Sequence, residues 1–191
     1  GKATARRIME EFGEDALAVI EDDPDQLTRI KGITLKRARQ IGDTFRRQMG
    51  MRRLMEFLNE HGLPLELAAH LHRTYGDVAL DVVKNNPYLL VGEEFEVEFA
   101  QADALALDLG IGPEDALRLE AGLLFEIAHN NLNNGHTFLP RRKLVEATGV
   151  LLDVPCQMLE DCLTTLLEIS VTVYKTLRYG ERAPKGGRGY V

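Results

Sequence analysis

A glycine turn followed by a run of cations occupies residues 29–45, RIKGITLKRARQIGDTF. Glycine permits a tight turn with positive φ. A turn directly before a helix points backbone N–H groups outward, where the helix dipole concentrates positive potential. A phosphate fits such a place without any base being read. The residues predicted to bind phosphate here are Lys31, Gly32, Ile33, Thr34, Lys36 and Arg37.

The charges of the chain are segregated along the sequence. The 191 residues carry a formal net charge of -7. Residues 1–53 hold 12 Lys/Arg against 9 Asp/Glu, residues 54–132 hold 3 against 15, and residues 133–191 hold 8 against 6. A protein that is acidic as a whole can therefore still attract a polyanion at its basic end. The alternative is that the basic helix after Gly32 is only a solvated face.

An internal repeat of about sixty residues indicates duplicated architecture. FGEDALAVIEDDPDQL at 12–27 aligns without gaps to YGDVALDVVKNNPYLL at 75–90. Each half is predicted to contain two smaller units, in which a turn precedes a small residue and then an aliphatic one three positions later. The positions that coincide at a constant offset of 63 are Gly13/Gly76, Ala16/Ala79, Leu17/Leu80, Val19/Val82, Pro24/Pro87 and Leu27/Leu90.

The smaller units follow the helix-hairpin-helix pattern, in which an apolar-x-Gly-apolar turn joins two helices. The stretch from Ile30 to Ile41 is a good version of it. Gly1 and Lys2 are expected to be the tail of a first hairpin whose start is missing, and both are counted as DNA-binding candidates. Carboxylates replace the turn cations or glycines in the later copies, and these residues are Glu66, Glu96 and Glu98.

One string that matches the turn pattern is expected not to be a hairpin. Gly110-Ile111-Gly112 is followed by Pro113, Glu114 and Asp115. These residues bring the wrong charge and one backbone N–H fewer. The pattern favours a helix end followed by a new helix start.

Apolar periodicity and capping residues predict a mainly α fold. We expect tandem helix-hairpin-helix repeats over 1–112 and a small α+β winged-helix-like module over 113–191, truncated at its C-terminal end. Strands are predicted at 135–140, 171–179 and 183–191, the second because VTVYKTLRY is β-branched and aromatic. Helices are predicted near 2–12, 14–22, 34–48, 50–60, 64–75, 77–86, 98–109, 113–133, 140–148 and 155–168.

Other chemistry is not indicated. The sequence has no G-x-x-x-x-G-K-[ST] phosphate-binding loop, no metal-ligand spacing among its histidines and cysteines, and no nucleophile-base arrangement. Catalytic residues, a metal site and a cofactor are therefore not expected in this stretch. Cys156 and Cys162 are expected to be reduced core thiols. Without a long apolar run or signal peptide, a soluble cytoplasmic protein is expected.

Three segments carry a resemblance to the N-terminal region of long-form bacterial RecD-like superfamily 1 DNA helicases. They are NNPYLL (85–90), FAQADALALDLGI (99–111) and NNGHTFLPRRKLVEATG (133–149). The family's glycine-rich turn before the fourth-copy alanine is replaced here by Glu96-Val97-Glu98. The resemblance implies that this is a non-catalytic part of a longer chain, an ATP-dependent 5′–3′ helicase that uses ATP and Mg²⁺.

Two functions of different kinds follow. In the first, the region contacts the backbone of single-stranded or forked DNA without sequence specificity, as a monomer joined to the motor domains of the same chain. In the second, it is a scaffold that docks on the motor core or on a DNA repair partner, and the acidic middle is the contact face. A free-standing nuclease or glycosylase is a third and weaker reading.

Overall fold

Helices dominate the part of the chain that the structure describes. The computed structural model describes residues 1–134 and 139–179. Short 3-10 helices lie at Gly13–Asp15, Pro24–Arg29, Gly76–Val78 and Pro87–Leu90. The mainly helical fold predicted from the sequence is confirmed. The α-helices are α1 (Lys2–Phe12), α2 (Ala16–Asp22), α3 (Leu35–Glu60), α4 (Leu67–Tyr75), α5 (Ala79–Asn85), α6 (Phe99–Asp108), α7 (Ala116–Asn134), α8 (Arg141–Leu152) and α9 (Cys156–Tyr179).

The helices form two compact units, one from Gly1 to Asn85 and one that begins at Asn86. This division follows spatial contacts. The boundary predicted after residue 112 follows sequence pattern instead, and separates the repeats from the last segment. No helix within the described residues is long and apolar enough to cross a membrane.

The predicted repeat is confirmed by the order and shape of the elements. The order α-helix, 3-10 helix, α-helix, 3-10 helix occurs from α1 to Arg29 and again from α4 to Leu90. Gly13 and Gly76 end the first helix of each copy with φ of 53° and 64°. Matching side chains are buried in both copies, because the same helix faces turn inward. These pairs are Ala16/Ala79, Pro24/Pro87 and Leu27/Leu90, of which Pro24 is half-buried.

The core of the first unit includes the predicted hairpin. Leu27 is fully buried, and Ile30 and Ile33 join it in one cluster with Ile8, Ala16 and Ala38. The side chains of Phe12, Val19, Ile20 and Ile41 pack against this cluster. Burying an aliphatic side chain of this size contributes roughly 1.5–3 kcal/mol. The turn that carries the candidate site is therefore tied to the core on both of its sides.

Helix α3 is a single helix of 26 residues, so the predicted division into helices 34–48 and 50–60 is wrong. Gly50 lies inside α3 and does not end it. A helical glycine costs only about 1 kcal/mol relative to alanine. Tertiary contacts of α3 with α2 and Pro24–Arg29 near its start, and with α4 and α5 near its end, offset that cost.

A buried ion pair joins the helices of the second unit. Arg118 is 5% exposed and forms two hydrogen bonds to Asp103, from Nε to Oδ1 and from Nη2 to Oδ2, both 2.9 Å. Its Nη1 donates to the carbonyl oxygens of Pro113 and Leu152. The Tyr88 hydroxyl donates to Asp103 Oδ1 at 2.6 Å, and burial together with this carboxylate raises the pKa of Tyr88 well above its ordinary value.

The last segment differs from the prediction. Residues 171–179, predicted as a strand, are the end of helix α9. The four β-branched residues of this stretch cost a helix only a few tenths of a kcal/mol each, and the Thr172 hydroxyl donates to the Glu168 carbonyl oxygen within the helix. The described residues contain no strand beyond one isolated bridge between Val91 and Val97. The α+β winged-helix-like module is therefore not supported.

The other predicted strands lie wholly or mainly outside the described residues, at 135–138 and 183–191. Both cysteines are free. Cys156 is exposed at the start of α9, so its prediction as a core thiol is wrong. Cys162 is half-buried, and burial raises the pKa of its thiol.

Substitution by alanine should change the free energy of unfolding in opposite directions at two glycines of α3. A Cβ on Gly42 would lie 2.7 Å from Pro24 Cβ and 3.2 Å from the Ile20 carbonyl oxygen, whereas one on Gly50 would meet nothing within 4 Å. We expect Gly42→Ala to lower the free energy of unfolding by about 1–3 kcal/mol through overpacking. Gly50→Ala should raise it by about 0.5–1 kcal/mol. Urea unfolding followed by circular dichroism measures both, and equal midpoints would contradict this packing.

The buried ion pair of the second unit gives a second prediction. Arg118→Met leaves Asp103 buried without its partner, so we expect a loss of about 3–5 kcal/mol in the free energy of unfolding. Arg142→Met is the matched control, because Arg142 pairs with Glu146 on the surface and its side chain is 87% exposed. That control should cost less than about 1 kcal/mol. Similar unfolding midpoints in urea for the two variants would refute a structural role for Arg118.

Candidate nucleic-acid interface

The loop between Pro24–Arg29 and α3 is a tight β-turn. The Ile33 N–H donates to the Ile30 carbonyl oxygen at 3.0 Å, which closes the turn. Gly32 occupies the third position with φ of 90°. This conformation requires glycine or, less readily, asparagine. The glycine predicted from the sequence to make a positive-φ turn does so.

The turn is held from two directions. Ile30 and Ile33 are both buried in the core of the first unit. From α1, the Arg7 guanidinium donates a hydrogen bond to the Lys31 carbonyl oxygen. Arg7 was not singled out in the sequence, since its contact spans 24 residues and no local pattern indicates it. A turn fixed in this way presents its backbone N–H groups without a further ordering cost.

Thr34 is the N-cap of α3. It has an extended backbone, and its Oγ accepts a hydrogen bond from the Arg37 N–H at 3.2 Å. The first N–H groups of a helix have no intrahelical acceptor, and this cap takes only one of them. Those of Thr34, Leu35 and Lys36 remain directed out of the helix start. No acidic residue lies in the first turn of α3 to compete for them.

The three cations of the hairpin lack the carboxylate partners that most arginines of α3 have. Lys31, Lys36 and Arg37 are exposed, and none forms an ion pair within the described part of the chain. Farther along α3, four of the five arginines form ion pairs, and Arg47 is the exception within the described residues. Arg39 forms a bidentate pair with Asp25 at 3.0 and 3.1 Å, and this pair lowers the pKa of the Asp25 carboxyl. The other paired arginines of the first unit are Arg29, Arg46, Arg52 and Arg53.

The structure thus brings together six of the eight residues predicted to bind DNA. The remaining two, Gly1 and Lys2, begin α1. Gly1 is its N-cap and accepts hydrogen bonds from the N–H groups of Thr4 and Ala5 through its carbonyl oxygen. Lys2 is exposed, about 7.5 Å of helical rise from Arg7, which touches the turn. Whether any of these eight residues binds DNA stays a prediction.

The third hairpin repeats the turn without the cations. Gly62 has a positive φ of 67°, as Gly32 does. Leu63 after it is buried, as Ile33 is. The Leu63 N–H donates to the Leu58 carbonyl oxygen, so this turn is also the C-terminal cap of α3. The exposed Glu66 stands where the first turn of α3 carries Lys36.

The fourth hairpin, in the second unit, keeps a positive φ without glycine. Glu96 has φ of 56°, Val97 is buried, and Glu98 caps α6 with extended backbone. The left-handed region costs a residue with a side chain roughly 1–2 kcal/mol. The sequence shows the lost glycine, but not that its backbone conformation is retained.

Gly110-Ile111-Gly112 is a helix end, as predicted. Gly110 has φ of 91°, and the Ile111 N–H donates to the Ala106 carbonyl oxygen at 3.0 Å in a capping pattern of the Schellman type. Asp115 then opens α7, because its Oδ1 accepts the Leu117 N–H. The helix end and the new helix start that the sequence predicts here are both present.

Comparison with known families agrees with this geometry. Residues 1–47 match the SAM-like helix-hairpin-helix tandem family. The first 47 residues are thus similar to tandem helix-hairpin-helix domains. Residues 47–138 match the helix-hairpin-helix domain of the ATP-dependent RecD2 DNA helicase. The chain therefore contains a helix-hairpin-helix module of the RecD-like helicase family.

A curated relative supports the same assignment. The ATP-dependent RecD2 DNA helicase of Deinococcus radiodurans is 31% identical over 143 residues, which cover 75% of this chain. The match covers 20% of the relative, so the chain spans about a fifth of its length. No solved structure matches the chain significantly.

Backbone strain at the hairpin turns can be measured directly. Gly32→Ala places a side chain at φ of 90°, so we expect the free energy of unfolding to fall by about 1–2 kcal/mol. Glu96→Gly should instead raise it by up to about 1 kcal/mol, because strain is relieved at some cost in chain entropy. Gly112→Ala is the control, since Gly112 has no positive φ and open space around it. Thermal and urea unfolding report all three, and destabilisation by Glu96→Gly would contradict the strain at this turn.

Proposed function

We propose that this chain contacts the DNA backbone through the turn and first helical residues at Lys31–Arg37, as the N-terminal region of an ATP-dependent 5′–3′ helicase. The observation that carries the proposal is the set of exposed cations without partners beside open N–H groups of a rigid turn. Elsewhere in the first unit, five arginines form ion pairs with carboxylates, namely Arg29, Arg39, Arg46, Arg52 and Arg53. If these cations were only solvated, nothing would favour their grouping at one turn without carboxylate partners.

The geometry suits phosphate and not base recognition. Backbone N–H groups at a helix start bind anions, while Lys31, Lys36 and Arg37 add charge that can follow the strand. No side chain of the turn offers a fixed donor-acceptor pattern for a base edge. Binding is therefore independent of sequence, and single-stranded or forked DNA is the proposed ligand.

The expected salt dependence of DNA binding follows from three phosphate contacts, one for each cation of the hairpin. For single strands, the logarithm of the binding constant falls by about 0.7 per contact for each unit of log salt. A slope of about −2 follows for one hairpin. One hairpin alone binds DNA weakly. In a longer chain it would raise the local concentration of DNA near the other domains.

The motor is proposed to lie outside this region. The sequence has no phosphate-binding loop, so ATP and Mg²⁺ would be held by motor domains of the same chain, which are the proposed intramolecular partners. We further propose that the chain acts in the cytoplasm as a monomer. Similarity to a helicase of which the match covers 20% supports the parent activity.

A second candidate role, as a docking scaffold for the motor core or a repair partner, is favoured by the third and fourth hairpins. Their turns carry Glu66, Glu96 and Glu98, all exposed. Carboxylates at a helix start repel phosphate, so these copies do not share the proposed DNA role. The two roles are compatible because they use different parts of the chain.

Fluorescence anisotropy with labelled single-stranded and forked DNA tests the DNA proposal. Native binding should weaken steeply between about 50 and 200 mM salt. Lys36→Glu/Arg37→Glu should weaken it by about tenfold or more at low salt and lower the salt slope, because two phosphate contacts are lost.

The control has the same change in net charge. Arg142→Glu/Lys143→Glu reverses two cations at the start of α8, in the second unit. It should retain most of the native affinity. If both double variants lose affinity equally, the attraction is a net-charge effect and the hairpin is not the site. Absence of native binding at low salt would also refute the proposal.

A further inference from the structure

An open apolar groove runs along α7 in the second unit. Its volume is about 670 Å³. One wall is α7, and the other is the segment that carries Tyr88, Val91 and the fourth hairpin. From α7, Leu117, Ala121, Leu124, Phe125, Ala128 and Leu132 line it.

The groove leaves large apolar side chains in contact with solvent. Leu124 is 61% exposed and Leu132 is 81% exposed. With Ala128 between them, they recur at every fourth residue, which places them on one face of α7. From Leu117 to Leu132 the helix rises by roughly 22 Å, about four helical turns. This is the size and shape of surface that receives an amphipathic helix.

The rim of the groove is acidic. Glu93, Glu96, Glu98 and Glu120 line it, and none forms an ion pair within residues 1–134 and 139–179. Glu96 is the residue with positive φ at the fourth hairpin. Four carboxylates around an apolar groove repel nucleic acid and anionic lipid. They complement a partner that carries Lys or Arg beside its apolar face.

We propose that this groove binds a basic amphipathic helix of a partner protein, with apolar residues against Leu124, Ala128 and Leu132 and cations against the glutamates. The fourth hairpin supplies the rim with its exposed carboxylates, Glu96 and Glu98, from a turn in which Glu96 has a positive φ. The site is separate from the turn at Gly32 and does not require that the turn bind DNA.

A synthetic peptide probe tests this on the full chain. It is a labelled helical peptide with leucines at every fourth position and lysines on both flanks. We expect saturable binding in fluorescence anisotropy. Leu124→Asp should weaken it about tenfold, with unchanged helical content by circular dichroism. No saturable binding, or equal affinity for native and Leu124→Asp protein, would overturn the proposal.

A charge exchange adds a readout that misfolding cannot mimic. Glu93→Lys/Glu98→Lys should lose affinity for the lysine-flanked peptide about tenfold and gain affinity for a matched peptide with glutamate flanks. Glu10→Lys/Glu14→Lys, two exposed positions in the first unit, is the charge-matched control and should change neither. If both double variants behave alike, the rim does not select the partner.

The other possible occupants give distinct results. Residues 182–188 contain Arg182, Lys185 and Arg188. If reversing these three charges in the full chain tightens peptide binding about tenfold, the chain's own end is the occupant and a partner protein is not. If the protein sediments as a dimer and the peptide converts it to a monomer, a second copy of the chain is the occupant. Either result overturns the proposal of an external basic helix.

Discussion

Burial of two isoleucines in one core fixes the geometry on which the first unit depends. Ile30 and Ile33 lie on either side of the turn and pack with Leu27 and Ala38. Only two residues separate these isoleucines, so the chain between them forms a four-residue turn. Gly32 has the positive φ that this turn requires. The orientation of the start of α3, and of the N–H groups there, follows from this packing.

A residue with positive φ followed by a buried aliphatic residue recurs with different surface chemistry. Gly32, Gly62 and Glu96 occupy equivalent positions with φ of 90°, 67° and 56°, and each is followed by a buried aliphatic residue. Packing thus preserves the turn, while exposed residues after it change from cationic to anionic. A duplicated unit can keep its fold and acquire a different ligand preference, since the core and the exposed turn are separate constraints.

Local features were predictable from the sequence and long-range ones were not. The repeat, the turn at Gly32, and the helix end at Gly110 each depend on a few neighbouring residues, and the structure agrees with them. The strand predicted at 171–179 failed because β-branched content is a weak preference that helical context overrides. The family resemblance, which combined several segments, was a stronger guide than any one motif.

Contacts between residues that are distant in the sequence account for the features that the sequence did not predict. The pairing of Arg39 with Asp25 spans 14 residues and that of Arg118 with Asp103 spans 15, so no periodicity shows which cations are neutralised. This bears on the candidate site, because its cations are distinguished by the lack of carboxylate partners together with their position beside the turn and the start of α3. The groove along α7 likewise appears only once the fourth hairpin is placed beside that helix.

The continuity of α3 has a geometric consequence. A helix of 26 residues is about 39 Å long, and the turns at Gly32 and Gly62 stand at its two ends. It acts as a spacer between the cationic turn at Gly32 and the turn at Gly62, which is followed by Glu66. An anion held at the first turn would therefore lie about 4 nm from the carboxylate that follows the second.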